Sequence, residues 1–529
     1  MTKNLTSGNP MKLLISFTLP MLFGMLFQQM YNMVDTMIVG KLLGSRALAA
    51  VGATGSVNFL VIGFCNGICS GFAIPVAQKT GAGEYSQMRQ VVANAAYLSA
   101  AFALVMTVAT GLLCDTIMTA MGTPEDIYQN AYNYIFIIFM GIPATFLYNL
   151  LAGVIRSLGD SRTPVYFLAL SSGLNILLDL VLILCCHMGV AGAAAATVIS
   201  QAVSGLACLA YAVRHCPELK ISRPEARFSA KTCLDLCAMG LPMGLQYSVT
   251  AIGSIILQAA VNGLGSLYVA AVTAGAKLCE LLSCPLNAMG AAMATYCGQN
   301  VGAGKLDRLG KGIWDCSVMG LVYALLSFGA MLLFAPACAM WFIDAQEEGE
   351  LGLMVSLVSR YVRTATGFGF TLALVNIVRF SIQGMGYSVF AILAGVLEML
   401  ARTVMGRVFV PRFGYSAVCL ASPAAWVCAD LFLIPACVLC IRRLRRSCAA
   451  AKTEKRPRHA AYRSRPQLQR YLRPDGRPRR LASSGPDLFQ RQLQRNTGIR
   501  LSRPHDRRPV RPVRRPQRLM ARIGRRKHH

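Results

Sequence analysis

The sequence predicts an all-α membrane protein of twelve transmembrane helices, arranged as two parallel six-helix pseudo-repeats, an N-lobe and a C-lobe, around a central cavity. Three observations predict it: recurrent apolar runs, an internal repeat at near-constant spacing, and basic residues gathered on alternate loops. The runs are mostly about 20 residues or longer, enough to cross ~30 Å of hydrocarbon at ~1.5 Å per residue. Helices are required because lone strands in lipid would leave backbone groups unpaired.

In chain order the spans are expected at 11–38, 53–77, 91–113, 131–155, 164–186, 190–213, 236–260, 267–297, 313–341, 353–380, 388–410 and 416–441. The stretch "MTKNLTSGNP" before the first span is polar and leads directly into it, so no cleavable signal is expected. Lys79 and Arg89, Arg156 and Arg162, five bases between Arg214 and Lys231, then Lys305, Arg308, Lys311 and "RRLRR" at 442–446 all fall on one side. An excess of Lys and Arg marks the cytoplasmic face, which places both termini inside a cell membrane. "GTPEDIY" (122–128) and "DAQEEGE" (344–350) make the other side acidic, with Lys41, Arg46 and Arg412 as exceptions.

The repeat is visible in short segments. "GSRALAAVGATG" (44–55) aligns with "GSLYVAAVTAGA" (265–276) at an offset of 221 with six of twelve positions identical, and "QKTGAG" (78–83) matches "QNVGAG" (299–304) at the same offset. "IRSLGDS" (155–161) answers "IQGMGYS" (382–388) at 227. Six helices return the chain to its starting side, so the halves are parallel, one of the known transporter plans with substrate held between rocking halves. The expected division is a lobe at 1–215, a charged linker at 216–235, a second lobe at 236–446 and a tail at 447–529.

The net charge of +29 belongs mostly to that tail, which holds 25 Lys and Arg against 4 acids and leaves 27 and 19 for residues 1–446. Its Arg- and Pro-rich composition without hydrophobic periodicity predicts disorder. It reads either as GC-rich DNA translated in another frame or as a basic arm for nucleic acid or anionic lipid; a nucleic-acid partner is not expected. The cysteines and the two histidines of the body, His187 and His215, form no metal-ligand spacing and are expected to be packing residues. "GAGK" (302–305) lacks the leading glycine and the Ser/Thr of a phosphate-binding loop, so no nucleotide is expected.

An ionisable group inside a membrane is a functional hypothesis unless an opposite charge explains it. Glu398 and Arg402 stand at i, i+4, and Lys277 and Glu280 at i, i+3, so both pairs can neutralise themselves, although Glu280 stays a candidate because Lys277 can snorkel away. Asp35 and Asp179 have no Lys or Arg within a helical turn, and Asn175 lies one turn before Asp179 on the same face. Carboxylate and amide oxygens suit Na+, and a carboxylate out of water readily takes a proton, so either ion fits. On straight helices Asp179 lies about 22 Å along its span and Asp35 about 34 Å along its own, a poor match that leaves open an interfacial place for Asp35. Leu257 stands opposite Asp35 in the repeat and Arg402 opposite Asn175, so coupling is expected mainly in the first lobe, with Glu280 the C-lobe candidate. For substrate, Gln28 and Tyr31 lie two turns and one turn from Asp35, and Asn149 is a third candidate; each can equally serve as an interhelical hydrogen bond.

The "LP" of the first span, "VDTMIVG", the paired "Q..GAG" turns, "IRSLGDSRTP" and "LNILLDLVLI" resemble the multidrug and toxic compound extrusion (MATE) family over about residues 10–446. The resemblance implies an antiporter that exports amphiphilic, often cationic compounds against inward Na+ or H+, with no other cofactor. It implies that Asp35 and Asp179 sit together and that Thr197 adds an oxygen ligand. Ser157 departs from the glycine that many members carry in that turn. The protein is expected to be a monomeric transporter, not an enzyme, working on small amphiphiles in membrane lipid. Two alternatives are a lipid-linked precursor flippase of the same superfamily, which calls for a more cationic cavity, and a membrane scaffold with a nucleic-acid-binding tail.

Overall fold

A computed structural model describes residues 4–340 and 348–469. The acidic stretch at 344–350 falls mostly outside them, and the tail beyond 469 wholly so. Contacts divide the chain into units Met1–Ala449 and Ala450–His529, and the first holds the membrane spans.

The helices are α1 (Pro10–Leu43), α2 (Ser45–Ala82), α3 (Tyr85–Ala120), α4 (Glu125–Met140), α5 (Ile142–Ser157), α6 (Thr163–Leu180), α7 (Val190–His215) and α8 (Ala230–Asn262). They continue as α9 (Ser266–Gly302), α10 (Asp307–Ala339), α11 (Glu348–Gly367), α12 (Gly369–Gly384), α13 (Ser388–Val404), α14 (Val410–Phe413) and α15 (Tyr415–Gln469). Among the described residues ten spans are single helical runs, and two more are bent pairs, α4 with α5 at 45° and α11 with α12 at 49°, giving the expected twelve. Most helices overrun the apolar runs by several residues, because a helix continues into the interface after its hydrophobic stretch ends.

The repeat is written into the backbone. Glycines with positive φ recur in pairs: Gly44 (84°) and Gly265 (111°), Gly83 (71°) and Gly304 (68°), Gly159 (96°) and Gly386 (94°), Gly189 (60°) and Gly414 (58°). The two bends fall at Gly141 and Phe368, separated by the same 227 residues as the "IRSLGDS" pair. Left-handed turns favour glycine because it has no Cβ, so these positions hold the repeat where the surrounding side chains have diverged.

The lobes meet along α2 and α8. A Cβ on Gly67 would lie 2.6 Å from the Cα of Gly244, and one on Gly71 2.5 Å from the Cα of Gly240, so the backbones are in contact. Small residues permit this approach in lipid, where dispersion replaces the hydrophobic effect as the driving force. At the end carrying the N-terminus, Gln78 Nε2 donates to the Gly384 carbonyl at 3.1 Å and Gln299 Nε2 to the Ser157 carbonyl at 2.9 Å. Each glutamine of the "Q..GAG" pair therefore reaches across to the turn of the opposite lobe. The first half of α1 (Leu14, Phe17, Met21) packs in one core with Met289, Met293 and Tyr296 of α9, so α1 belongs to both lobes.

The linker is fastened rather than loose. Arg89 on α3 forks onto Glu225, Asn94 Nδ2 donates to the Arg227 carbonyl, and Ser229 N donates back to Asn94 Oδ1. Ser229 also caps α8, accepting from Thr232 N at 3.3 Å.

Candidate cation and substrate site

The depth mismatch between Asp35 and Asp179 disappears because α1 starts lower than α6. A Cβ on Gly24 would lie 3.0 Å from Val165 Cγ2, which sets the register of the two helices. From that contact Asp35 is 11 residues onward and Asp179 is 14, about 16 and 21 Å at ~1.5 Å per residue. The remaining difference is within side-chain reach, and the two carboxyl groups are close neighbours.

The neighbourhood is built of acceptors. Asp179 is 0% and Asn175 1% exposed, and Asp179 Oδ1 and Oδ2, Asp35 Oδ1 and Asn175 Oδ1 are all buried with no hydrogen-bond donor. Thr197 on α7 turns its hydroxyl oxygen toward Asn175 Nδ2 at 3.4 Å, which aims the amide, while its own proton goes to the Ala193 carbonyl. Unpartnered buried oxygens are expensive, and two touching carboxylates repel. A shared proton or a cation of Na+ type removes both costs at once, and hard oxygen donors are what such an ion takes.

The site opens on a cavity of about 500 Å³ lined by Gln28, Tyr31, Asp35, Asn149, Asn175 and Thr197, so every proposed substrate residue faces the same space. Tyr31 stands beside Gln28 and both aspartates. Asn149 Nδ2 donates to the Thr145 carbonyl at 2.9 Å, and the residue lines the cavity. Sequence reasoning missed three further groups. Tyr134 on α4 lies next to Asp35, Tyr31 and Asp179, and Asn58 and Asn66 on α2 present unpartnered oxygens. The asparagines stand eight residues apart on one face of an apolar helix, a stripe that was available to be read.

Glu280 is not brought to this site. It pairs with Lys277 at 3.6 Å with both side chains more than half exposed, and only Lys277 lines the cavity. In the C-lobe, Glu398 contacts Arg379 of α12 as well as Arg402 at 3.5 Å, so the self-neutralising pair is part of a larger buried cluster. Asp430 on α15, also missed in the sequence, lies beside Arg379 with both oxygens unpartnered.

Comparison with known proteins agrees with this architecture. The MatE family profile matches residues 20–181 and 242–408, one segment in each half. The chain is 30% identical over 304 residues to the Probable multidrug resistance protein YpnP of Bacillus subtilis, covering 58% of this chain and 68% of that one. It is 22% identical over 399 residues to the Multidrug export protein MepA of Staphylococcus aureus, covering 75% and 88%. A crystal structure of MATE in complex with MaL6 superposes with a TM-score of 0.78 at 24% identity over 84% of this chain and all of that one. A MOP superfamily transporter from Pyrococcus furiosus, described as having reverse polarity of its binding pocket, superposes at 0.75 with 23% identity over 85% and 99%. With both lobes matched and the twelve-span fold shared, the chain belongs to the MATE family of multidrug efflux proteins, multi-pass membrane transporters rather than enzymes.

Proposed function

We propose that the protein is a secondary active antiporter that exports amphiphilic or cationic compounds in exchange for Na+ or H+, by alternating access between the lobes 1–215 and 236–446. The observation that carries this reading is the set of four unpartnered oxygens on Asp35, Asp179 and Asn175, of which Asp35 and Asn175 line the cavity and Asp179 is buried beside Asp35. Ion entry neutralises that wall and favours one of two lobe arrangements; an organic cation competes for the same negative charge. Because α1 carries Asp35 in one lobe and is anchored by Phe17 and Met21 in the other, a change at the pair reaches the lobe interface.

On this reading the end carrying the N-terminus, the linker and the Gln78 and Gln299 bridges is cytoplasmic and closed, and the cavity faces outward. Thr197 orients the ion site; Gln28, Tyr31 and Asn149 contact substrate. The transporter works as a monomer without nucleotide. Ethidium efflux from vesicles under an imposed Na+ or H+ gradient tests this: Asp35→Asn should lose gradient-driven efflux by more than about tenfold, the equivalent of one lost charge interaction. Unchanged efflux in that variant would overturn the mechanism.

A further inference from the structure

A second cavity, of about 450 Å³, lies between the lobes and shares Phe59 and Tyr247 with the first. Its polar chemistry is opposite. No carboxylate lines it, while Arg156 from α5 and Arg379 from α12 both do. Arg156 is half-buried, and among the described residues no acid forms an ion pair with it.

Charge counting shows an excess. Arg379 and Arg402 are matched by Glu398 and Asp430, which lie beside them, and Arg156 is left over. Hydrogen bonding shows the same deficit: Arg379 Nε and Asn376 Nδ2 are buried donors without acceptors, on residues 6% and 8% exposed and one turn apart on α12. A buried donor left unmade costs the desolvation of the group, more so when charged. Arg156, Arg379 and Asn376 line this one cavity, so an anion entering it finds an unmatched charge and unmet donors on its wall. The remaining wall is apolar and adaptable, with Met21, Met25, Met243 and Phe380.

We propose that this inter-lobe cavity is an anion subsite that takes the acidic headgroup, carboxylate or phosphate, of an amphiphile whose apolar body lies along the methionine wall. Arg156 supplies the counter-charge, and Arg379 and Asn376 supply directed donors. The two cavities then give one transporter a cation-selecting wall and an anion-selecting wall on either side of Tyr247. The subsite deepens the exporter reading by adding a substrate class and rests on it only for transport. Its test reads binding without a gradient, so it can fail while Asp35-dependent efflux stands, and the reverse.

The full chain in phosphatidylcholine nanodiscs is titrated with tritiated cholate, an amphiphilic carboxylate, and with its uncharged amide as competitor. Loss of a charged hydrogen bond predicts that Arg156→Gln and Asn376→Asp each weaken cholate binding by about tenfold or more, with Arg156→Lys close to the parent. The amide should not compete. Size-exclusion behaviour of each variant checks folding, and retained binding by Arg156→Lys shows that the position tolerates change. Equal cholate affinity in Arg156→Gln and Asn376→Asp, or full competition by the amide, would overturn the proposal. Adding phosphatidylglycerol distinguishes the source: displacement of cholate assigns the subsite to a lipid headgroup, and undiminished cholate binding assigns it to a soluble amphiphile, the anion site standing in either case.

Discussion

The two lobes share a backbone plan and differ in what they bury. In the N-lobe the ends of α1 and α6 meet through Asp35 and Asp179, whereas at the corresponding place in the C-lobe a Cβ on Gly406 would lie 3.8 Å from the Cα of Leu257. The same contact of the repeat is thus an acid pair in one half and an apolar seam in the other. One turn away, Asn175 corresponds to Arg402, whose charge is met by Glu398. Duplication preserved turns, bends and helix register, and at this matched position the chemistry was divided: unsatisfied acceptors on Asp35, Asp179 and Asn175 in the first lobe, and in the second an Arg402 met by Glu398. Unsatisfied groups are the ones free to bind.

That contrast predicts opposite outcomes for two conservative substitutions. Asp179→Asn should abolish gradient-driven efflux, by more than about tenfold, while leaving thermal stability unchanged or higher, since a buried acid without donors is replaced by a neutral amide. Glu398→Gln should do the reverse in order of effect. It leaves Arg379 and Arg402 without their shared carboxylate, and removing one partner from a buried ion pair costs about 3–5 kcal/mol. Thermal unfolding of the two purified variants, set beside their efflux rates, decides the matter; a Glu398→Gln protein as stable as the parent would erase the distinction between the lobes.

Much of this was legible beforehand, for identifiable reasons. Hydropathy gave twelve spans because lipid allows few alternatives, and the glycine turns gave the repeat because left-handed backbone restricts the residue. Asp35 and Asp179 stood out because they lacked nearby bases in sequence. Their meeting could not be read, since it depends on Gly24 against Val165 setting the register of α1 on α6. Arg379 and Asp430 escaped for a related reason: their partners lie on other helices, and i, i+4 reasoning sees only pairs along one. The docking of the linker could not be read either, since it rests on one ion pair, Glu225 with Arg89 of α3, and on the Arg227 carbonyl accepting from Asn94, contacts between segments far apart in sequence.

A smaller effect tests the contact that both lobes share. Gln299 is the more heavily used of the two bridging glutamines, since its Oε1 also accepts Leu5 N at 3.0 Å while its Nε2 holds Ser157. Gln299→Leu strands a buried amide and a carbonyl, about 1–3 kcal/mol for each orphaned group, and removes a tie that exists only when this end is closed. Thermal unfolding of the purified variants should therefore show a larger loss for Gln299→Leu than for Gln78→Leu. If Gln78→Leu and Gln299→Leu are equally stable, the N-terminal segment adds nothing to the bridge.

The linker gives the smallest effect and the one most sensitive to pH. Glu225 accepts Arg89 Nε at 2.8 Å and Nη2 at 2.7 Å, and then Ser222 N at 2.9 Å. The Arg89 guanidinium foremost, and the Ser222 amide after it, hold this carboxyl well below the usual carboxylate range. A group whose folded value is depressed contributes stability that is present above its unfolded value and is lost only as pH falls through the folded one. Docking of residues 217–229 onto α3 should therefore persist as pH is lowered through about 4.3, where an ordinary glutamate is half titrated. Amide protection factors for this segment, corrected for intrinsic exchange, should stay level across that window in the parent and be lower at every pH in Glu225→Gln. Protection in the parent that decays with a midpoint at the ordinary glutamate value would mean that the linker is loosely held. The N-lobe and linker would then not move as one body, and the joint between the lobes would lie in the linker itself.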